Sequence, residues 1–450
     1  MWVNPNLKKA GVFRVSLEIL RAQLQHKRDL SPRYGVVVKI LPNMVFVSGF
    51  LPSLGDMVQV ERADGGECLG MVVVVEKTQF GFTPFSFVEG CKVGDRVLFV
   101  KEGLSFPVGQ GLLGRVLDPL GNPLDKLGFV RASGFAPVML APIKPLDRAI
   151  IDEPFSVGVK SIDGLLTCGK GQKMGIFAGS GVGKSTLMGM VVRGCSASIK
   201  VIALIGERGR EIPEFIHKNL QGNLENTVLI VATSDDAPLM RKYGAFCAMS
   251  VAEYFKNQGH DVLFMMDSVT RFAMAQREIG LALGEPPTSK GYPPSALTLL
   301  PQLMERAGKE QNKGSITAFF TVLVEGDDLS DPIADQSRSI LDGHIVLSRE
   351  LTDHGIYPPI NILHSASRVS KEVSSHDHML AARKFRKLYA LLKENEVLIR
   401  IGSYQRGFDP DLDEAMDKKA KMDAFLAQEE EEVVPSSQSI QELQEIMQQF

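Results

Sequence analysis

A glycine-rich segment that ends in Lys-Ser-Thr, residues 178–186, has the residue types that could hold a polyphosphate. Its glycines let backbone N–H groups turn towards an anion without a Cβ clash. The Lys184 amine would reach the β- and γ-phosphates of a nucleotide, and the Ser185 hydroxyl would complete the coordination shell of a Mg²⁺ ion. The usual motif begins with glycine, whereas this one begins with Ala178, which is also small. The predicted nucleotide-binding residues are Gly179, Ser180, Gly181, Val182, Gly183, Lys184, Ser185 and Thr186.

Two acidic residues that follow apolar runs could complete a hydrolytic site. Asp267 comes after five apolar residues, which is the pattern of a carboxylate that organises Mg²⁺ beside a phosphate loop. Glu207 also follows a predicted strand and could polarise a water molecule for attack on the γ-phosphate. A salt bridge from Glu207 to Arg208 or Arg210 is the commoner outcome for such a local sequence, so both interpretations of Glu207 are open at this point.

Two residues near the end of the apolar strand pattern could contact a nucleotide. Tyr357 offers a flat apolar face on which a base could stack. Arg368 follows Ser-Ala-Ser in a predicted loop, where a guanidinium can project outward. Taken alone, each is more often a packing or surface group.

The elements that position these residues follow from the hydrophobic pattern. An apolar run at 174–178 precedes the glycine-rich segment and a helical stretch, 186–193, follows it, so the helix N-terminus would add partial positive charge to the site. Further apolar runs alternate with helical stretches, which predicts a parallel sheet covered on both faces, with ligands at the carboxyl ends of its strands. The predicted strands are 174–178, 201–206, 228–232, 262–267, 316–324 and 344–347.

The flanking regions have different patterns. Five short β segments separated by Gly, Pro, Asp and Ser predict a small barrel or sandwich before the sheet. After about residue 373 only helical patterns remain. The β segments are 36–38, 44–47, 57–60, 70–74 and 96–100, and the helices are 376–394, 410–428 and 437–450.

Composition bounds the class of protein. The chain has 450 residues, enough for two to four domains, and its net charge of -3 gives no reason to expect general nucleic-acid binding. Five scattered cysteines without CxxC spacing indicate reduced thiols in a cytosolic protein. The sequence shows no signal peptide and no apolar run long enough to span a bilayer, so we expect a soluble intracellular protein. Residues 1–30 combine leucines at helical spacing with an excess of basic residues, which fits a solvated helix or a segment that docks on a partner or an acidic membrane.

The motifs taken together resemble the catalytic subunits of rotary ATP synthases. The matching segments occur in the same order, and the match is closer still to the relatives that energise type III protein export, in particular the flagellar export ATPases. The resemblance runs from about residue 34 to residue 417. The segments that carry it are 178–185, 206–211, 262–271, 327–332, 355–358 and 365–368, with 273–279, 284–287, 290–295, 340–349 and 401–410 for the flagellar group.

This resemblance implies a fold and a set of domains. The fold class is α/β, with a central RecA-like P-loop NTPase domain built on a parallel sheet, an N-terminal small β-barrel and a C-terminal helical domain. The expected domains are a partner-docking arm (1–30), the β-barrel (31–100), the P-loop ATPase domain (101–373) and the helical domain (374–450).

The resemblance also implies residue roles. Lys184 and Ser185 match the phosphate-binding lysine and the Mg²⁺ ligand, and Asp267 matches the Walker B carboxylate. Glu207 matches the glutamate that orients the attacking water, with Arg208 beside it. Tyr357 matches the aromatic residue that stacks on adenine, and Arg368 matches the arginine finger that enters the neighbouring subunit's site. One chain carries both Glu207 and Arg368, so a homo-oligomeric ring follows, and the family implies six subunits.

The expected function is Mg²⁺-dependent ATP hydrolysis by a homohexameric ring that energises export of flagellar proteins. The expected partners are peripheral and central stalk-like export proteins, the export gate at the membrane and chaperone–substrate complexes, with no nucleic acid. The expected location is the cytoplasm, peripherally associated with the inner-membrane export apparatus.

Three alternatives remain open on the sequence. The first is the ATPase of a virulence injectisome, which segments 184–188 and 231–236 favour, while 274–280 and 331–335 favour the flagellar group. The second is a hexameric RNA translocase, which would need a basic barrel groove with stacking aromatics. The barrel region has Phe46, Phe50, Phe80, Phe82, Phe85 and Phe87 but few interleaved Lys or Arg. The third is a non-catalytic ring subunit, against which Glu207 argues.

Overall fold

The computed structural model describes residues 33–62, 64–324 and 330–448. The basic arm at residues 1–30 lies outside the described residues, as do residues 327–329 of segment 327–332 and the last two residues of the predicted terminal helix. The domain limits expected from the sequence remain predictions.

The N-terminal strands close into a six-stranded antiparallel barrel in the order β1-β2-β5-β4-β3-β6. The structure thus resolves the choice between barrel and sandwich. Strand β5 lies outside the segments expected from the sequence, because Gly81 and Pro84 interrupt an otherwise weak strand signal. The strands are β1 Tyr34–Leu41, β2 Met44–Ser48, β3 Met57–Glu61, β4 Glu67–Val75, β5 Gln79–Pro84 and β6 Arg96–Lys101.

The barrel aromatics are used for packing. Phe80 and Phe82 on β5 are fully buried in the barrel core, and Phe85 is 5% exposed against the neighbouring sheet domain. Buried rings cannot stack on a nucleic-acid base. These three phenylalanines therefore do not provide the stacking surface that an RNA translocase would need.

A nine-stranded sheet follows in the described residues, in the order β19-β18-β12-β17-β15-β13-β14-β8, with β16 paired to β17. All neighbours from β18 to β8 are parallel, while β19 and β16 pair antiparallel. Its strands are β8 Val116–Leu117, β12 Lys173–Ala178, β13 Ile199–Glu207, β14 Thr227–Thr233, β15 Val262–Asp267, β16 Gly308–Lys309, β17 Ser315–Leu323, β18 Gly343–Val346 and β19 Ala366–Ser367. Small two-stranded pairs join β7 Ser105–Val108 to β9 Gly134–Pro137 and β10 Pro154–Phe155 to β11 Cys168–Gly169.

Helices cover both faces of this sheet, which explains why its strands are almost wholly apolar. The helices are α1 Lys160–Leu165, α2 Lys184–Gly194, α3 Glu211–Glu214, α4 Pro238–Asn257, α5 Val269–Ala282, α6 Pro294–Met304, α7 Pro332–Ile340, α8 Arg349–Asp353, α9 Ser370–Val373, α10 His376–Glu394, α11 Glu396–Arg400, α12 Pro410–Leu426 and α13 Ser436–Gln448. Helices α4, α5 and α6 share one buried cluster with one face, while α1, α2 and the C-terminal α10, α12 and α13 share a second cluster with the other. A π-helical turn spans Phe215–Asn219, and 3-10 turns span Pro145–Asp147 and Ser289–Gly291.

Each of the six strands predicted for the sheet coincides with an observed strand, with ends that differ by a few residues. Within the described part of the chain, no helix has both the length and the apolar character that crossing a bilayer requires.

Candidate nucleotide site

The glycine-rich segment lies between the carboxyl end of β12 and the start of α2. Gly181 and Gly183 have φ of 77° and 92°, which side chains with a Cβ rarely adopt. Gly183 is followed directly by Lys184 as the first residue of α2, so the loop ends on the helix N-terminus. This is the strand–loop–helix arrangement that binds phosphate through backbone N–H groups.

Lys184 brings the two predicted carboxylates together. Its Nζ lies 2.5 Å from Asp267 Oδ1 and 3.4 Å from Glu207 Oε1. Burial acts to lower the pKa of Lys184, but attraction to Asp267 and Glu207 outweighs it, so the pKa is raised above its ordinary value. The ammonium is therefore charged and stands between the two groups that would handle Mg²⁺ and water.

The surroundings of Glu207 favour the protonated form of its carboxyl group. Burial and repulsion from Asp267 raise the pKa of Glu207 to about 7, against the attraction of Lys184. A base with a pKa near the working pH is the most effective proton acceptor. The salt bridge to Arg208 or Arg210 that the local sequence allowed is not formed among the described residues. Arg208 pairs instead with Glu211 at 3.4 Å, and its side chain is 67% exposed.

Asp267 has a second partner that the sequence did not indicate. The Thr321 hydroxyl donates to Asp267 Oδ1 at 2.6 Å, and both residues are buried. Thr321 lies on β17, the strand between β12 and β15, so the sheet order places it between the phosphate loop and the carboxylate. β17 contains three hydroxyl residues, Ser315, Thr317 and Thr321, so the local sequence did not distinguish Thr321 from the other two.

A cavity of about 430 Å³ opens in front of these groups. Its wall includes Ser185, Glu207, Asp267 and Asn219, and Asn219 Nδ2 donates to the Ser185 carbonyl. Asn219 is a second residue that sequence reasoning missed, because it lies in the π-helical turn 34 residues further on.

The donor set suits Mg²⁺ together with a nucleotide. Mg²⁺ prefers oxygen ligands and is usually held by one or two carboxylates plus substrate phosphates, and not by a cage of protein ligands. Ser185 and Asp267 line the same cavity, and the Lys184 Nζ donates to Asp267 Oδ1. Accordingly, the described residues contain no cluster of three His, Cys, Asp or Glu that could hold a metal by itself.

Tyr357 lies against the phosphate loop at Gly183. A Cβ built on Gly183 would lie 3.8 Å from the Tyr357 ring and 3.6 Å from Pro359, which places this loop directly against the glycine. Tyr357 is 37% exposed, so one part of its ring is open to a ligand. Its carbonyl accepts a hydrogen bond of 2.7 Å from the Gln428 N–H.

Arg368 is not brought together with the other predicted residues. Its N–H donates to the Asp342 carbonyl, and the Asp342 N–H donates in turn to the carbonyl of Lys173, the first residue of β12. The phosphate loop follows the other end of the same six-residue strand. At about 3.3 Å per residue, Arg368 and the phosphate loop are roughly 17 Å apart along the strand. Arg368 is exposed at that far edge.

The comparisons with known proteins agree with this geometry. Residues 158–367 match the ATP synthase alpha/beta family, nucleotide-binding domain, and residues 374–445 match the T3SS EscN ATPase C-terminal domain. The chain is 74% identical over 431 residues to the flagellum-specific ATP synthase of Helicobacter pylori, covering 96% of this chain and 99% of that protein. It is 46% identical over 398 residues to a type 3 secretion system ATPase of Xanthomonas euvesicatoria, covering 88% and 90%. Among solved structures, the assembled ATPase EscN with its central stalk EscO from enteropathogenic E. coli matches with a TM-score of 0.85 and 42% identity, covering 92% of this chain and 100% of that one.

Proposed function

Since this chain belongs to the family of flagellum-specific ATP synthases, with the nucleotide-binding domain of the ATP synthase alpha/beta family, we propose that it powers flagellar protein export from a ring with shared active sites. The chain is an ATP-hydrolysing enzyme. The observation that carries the proposed mechanism is the contact of Lys184 with both Glu207 and Asp267, two carboxylates that line one cavity together with Ser185.

In this mechanism the phosphate loop binds ATP. The N–H groups of residues 179–186 and the Lys184 ammonium hold the phosphates, and Lys184 exchanges its carboxylate partners for phosphate oxygens. Ser185 and Asp267 would hold Mg²⁺, which when bound neutralises charge on the phosphates. Tyr357 stacks on the adenine on the far side of Gly183.

Glu207 orients the attacking water and accepts its proton. The carboxylate lies at the end of β13, beside Asp267 at the end of the neighbouring β15, and it is only 18% exposed. Its raised pKa keeps it a competent base near neutral pH and favours release of the proton after each turnover.

Arg368 acts on the site of a neighbouring copy. In its own subunit it lies a strand length away from Lys184 and is exposed, whereas an arginine finger must reach the γ-phosphate. A ring in which each copy gives Arg368 to the next and receives it from the previous one satisfies this need. The assembled state of EscN supports the ring, and we propose six copies.

The proposed setting is the flagellar type III export apparatus. Identity of 74% to a flagellum-specific protein, against 46% to a type 3 secretion system ATPase, favours the flagellar system over the injectisome. The stalk EscO bound to EscN supports a stalk-like partner for this chain. We further propose chaperone–substrate complexes and the export gate as partners, with the ring in the cytoplasm at the inner membrane.

A subunit-mixing experiment tests shared sites. Lys184→Ala copies lack a working phosphate loop but keep Arg368, and Arg368→Ala copies have the reverse defect. In an equimolar random ring, about one quarter of the interfaces pair an intact loop with an intact arginine. Phosphate release should therefore recover to about one quarter of the wild-type rate from two inactive proteins. Absence of recovery in rings verified to be mixed would rule out complementation across subunits.

A further inference from the structure

Gln428 connects the C-terminal helices to the nucleotide-binding part of the chain. It follows α12 by two residues and is 6% exposed. Its Oε1 accepts from the Lys160 N–H at 2.8 Å, and its Nε2 donates to the carbonyls of Gly158 at 2.8 Å and Glu432 at 2.9 Å. The side-chain amide therefore uses both its acceptor and its two donors, and only Gln or Asn side chains combine these groups.

The backbone of the same residue reaches the base side of the site. The Gln428 N–H donates to the Tyr357 carbonyl at 2.7 Å. Tyr357 and Pro359 lie in turn within 4 Å of the Cβ position of Gly183. A residue anchored by three side-chain hydrogen bonds thus holds the loop that borders the phosphate-binding glycine.

The segment after α12 also contacts the phosphate side of the site. Arg193, at the end of α2, donates to the Glu430 carbonyl and, at 2.6 Å, to the Asn219 carbonyl. Asn219 donates to the Ser185 carbonyl. The segment after α12 is therefore linked by hydrogen bonds to Tyr357 through Gln428. It is also linked to Ser185 through Arg193 and Asn219.

We propose that Gln428 is a positioning residue that holds Tyr357 at the base-binding side of the phosphate loop, so that the C-terminal helices set how firmly the nucleotide base is bound. This inference rests on the proposed function, in which Tyr357 stacks on adenine. Rigid placement of a stacking ring lowers the cost of ordering it when the ligand binds. Loss of the anchor therefore weakens contacts to the base and leaves contacts to the phosphates in place.

A purely structural role for Gln428 makes a different prediction. A buried amide with three partners also stabilises the fold, and leaving those partners unpaired is costly wherever it occurs. A general loss of stability would weaken every ligand of the site alike. The distinguishing quantity is the ratio of affinities for ATP and for inorganic tripolyphosphate, which has the phosphates but no base.

The experiment measures displacement of a fluorescent ATP analogue from the full-length protein by ATP and by tripolyphosphate. The variants are Gln428→Met, which keeps the side-chain volume, Gln428→Glu, which keeps the acceptor to Lys160, and Tyr357→Ala. Glu429→Gln, at the exposed next position, is the matched control. Melting temperatures identify any variant that fails to fold. If Gln428→Met fails to fold, the test uses Gln428→Glu.

We expect both Gln428 variants to weaken ATP about tenfold while tripolyphosphate changes by less than about twofold. Combining Gln428→Met with Tyr357→Ala should weaken ATP no more than Tyr357→Ala alone, because both changes remove the same contact. Equal weakening of both ligands, additive effects in the double variant, or unchanged ATP affinity in the Gln428 variants would overturn the inference. An unchanged ATP affinity in Tyr357→Ala would instead remove the proposed base site, and the role of Gln428 with it.

Discussion

Lys184 and Arg368 lie at opposite ends of the parallel sheet. Lys184 follows the carboxyl end of β12, while the Arg368 N–H is hydrogen-bonded through Asp342 to the first residue of that strand. Two cations of one nucleotide site cannot both act within one copy across about 17 Å of strand. This separation is the structural argument for a site completed by a second copy.

The first prediction concerns assembly. Specific ATPase activity should rise with protein concentration and then level off, since a monomer lacks the second cation. Arg368→Ala should lower kcat about 10³-fold or more while nucleotide affinity changes little. Steady-state phosphate release over a dilution series measures both. The control is Arg383→Ala, which removes an exposed arginine of α10 and should leave the activity unchanged. Specific activity that stays constant across the assembly range would contradict the prediction.

The second prediction concerns Glu207 as the base. Glu207→Gln keeps the size and polarity of the side chain but cannot accept a proton, so hydrolysis should fall by about 10²–10⁴-fold. ATP binding should persist, because Lys184 and the loop N–H groups are untouched. Single-turnover hydrolysis and equilibrium binding of ATP separate the two effects. Full hydrolysis by this variant would show that Glu207 is not the base of the reaction.

The third prediction is a pH dependence with a defined sign. Burial and repulsion from Asp267 raise the pKa of Glu207 from its ordinary 4.5 to about 7. Below that pH the carboxyl is protonated and cannot accept a proton from water. We therefore expect kcat/KM to fall about tenfold per pH unit below pH 7 and to level off above it. This limb should disappear from the residual activity of Glu207→Gln, and an acid limb centred near pH 4.5 in the wild type would show that Glu207 titrates normally.

The fourth prediction concerns Thr321. Its hydroxyl donates to Asp267 Oδ1, the same oxygen that accepts from Lys184, and so restrains the orientation of the carboxylate. Thr321→Val preserves shape but removes the donor, and should raise the half-saturating Mg²⁺ concentration about 10–100-fold. Thr321→Ser retains a hydroxyl and should recover most of the loss. A Mg²⁺ titration of nucleotide binding provides a measure independent of turnover, and equal behaviour of the Val and Ser variants would assign the effect to packing.

Local sequence determined the parts of the site that depend on neighbouring residues. The loop at 178–186 lies between a strand and a helix as predicted, because glycine conformation, apolar runs and helix formation are local properties. The same holds for Asp267 at the end of β15 and for the parallel strands, whose continuous apolar runs reflect burial on both faces. Family resemblance supplied the roles of Tyr357 and Arg368, which their local sequence did not distinguish from surface residues.

Tertiary structure alone decided which of these residues meet. Glu207 pairs with Lys184 and not with its neighbour Arg208, since sheet order brings β12 and β13 within reach of β15. Thr321 reaches Asp267 across 54 positions of sequence, and Gln428 reaches Gly158 across 270. Such partners are chosen by the need to satisfy buried polar groups once the chain is packed, and a linear pattern carries no record of that choice. The placement of Arg368 at the far edge of the sheet follows from the same packing, and the proposal of a site shared between copies rests on it.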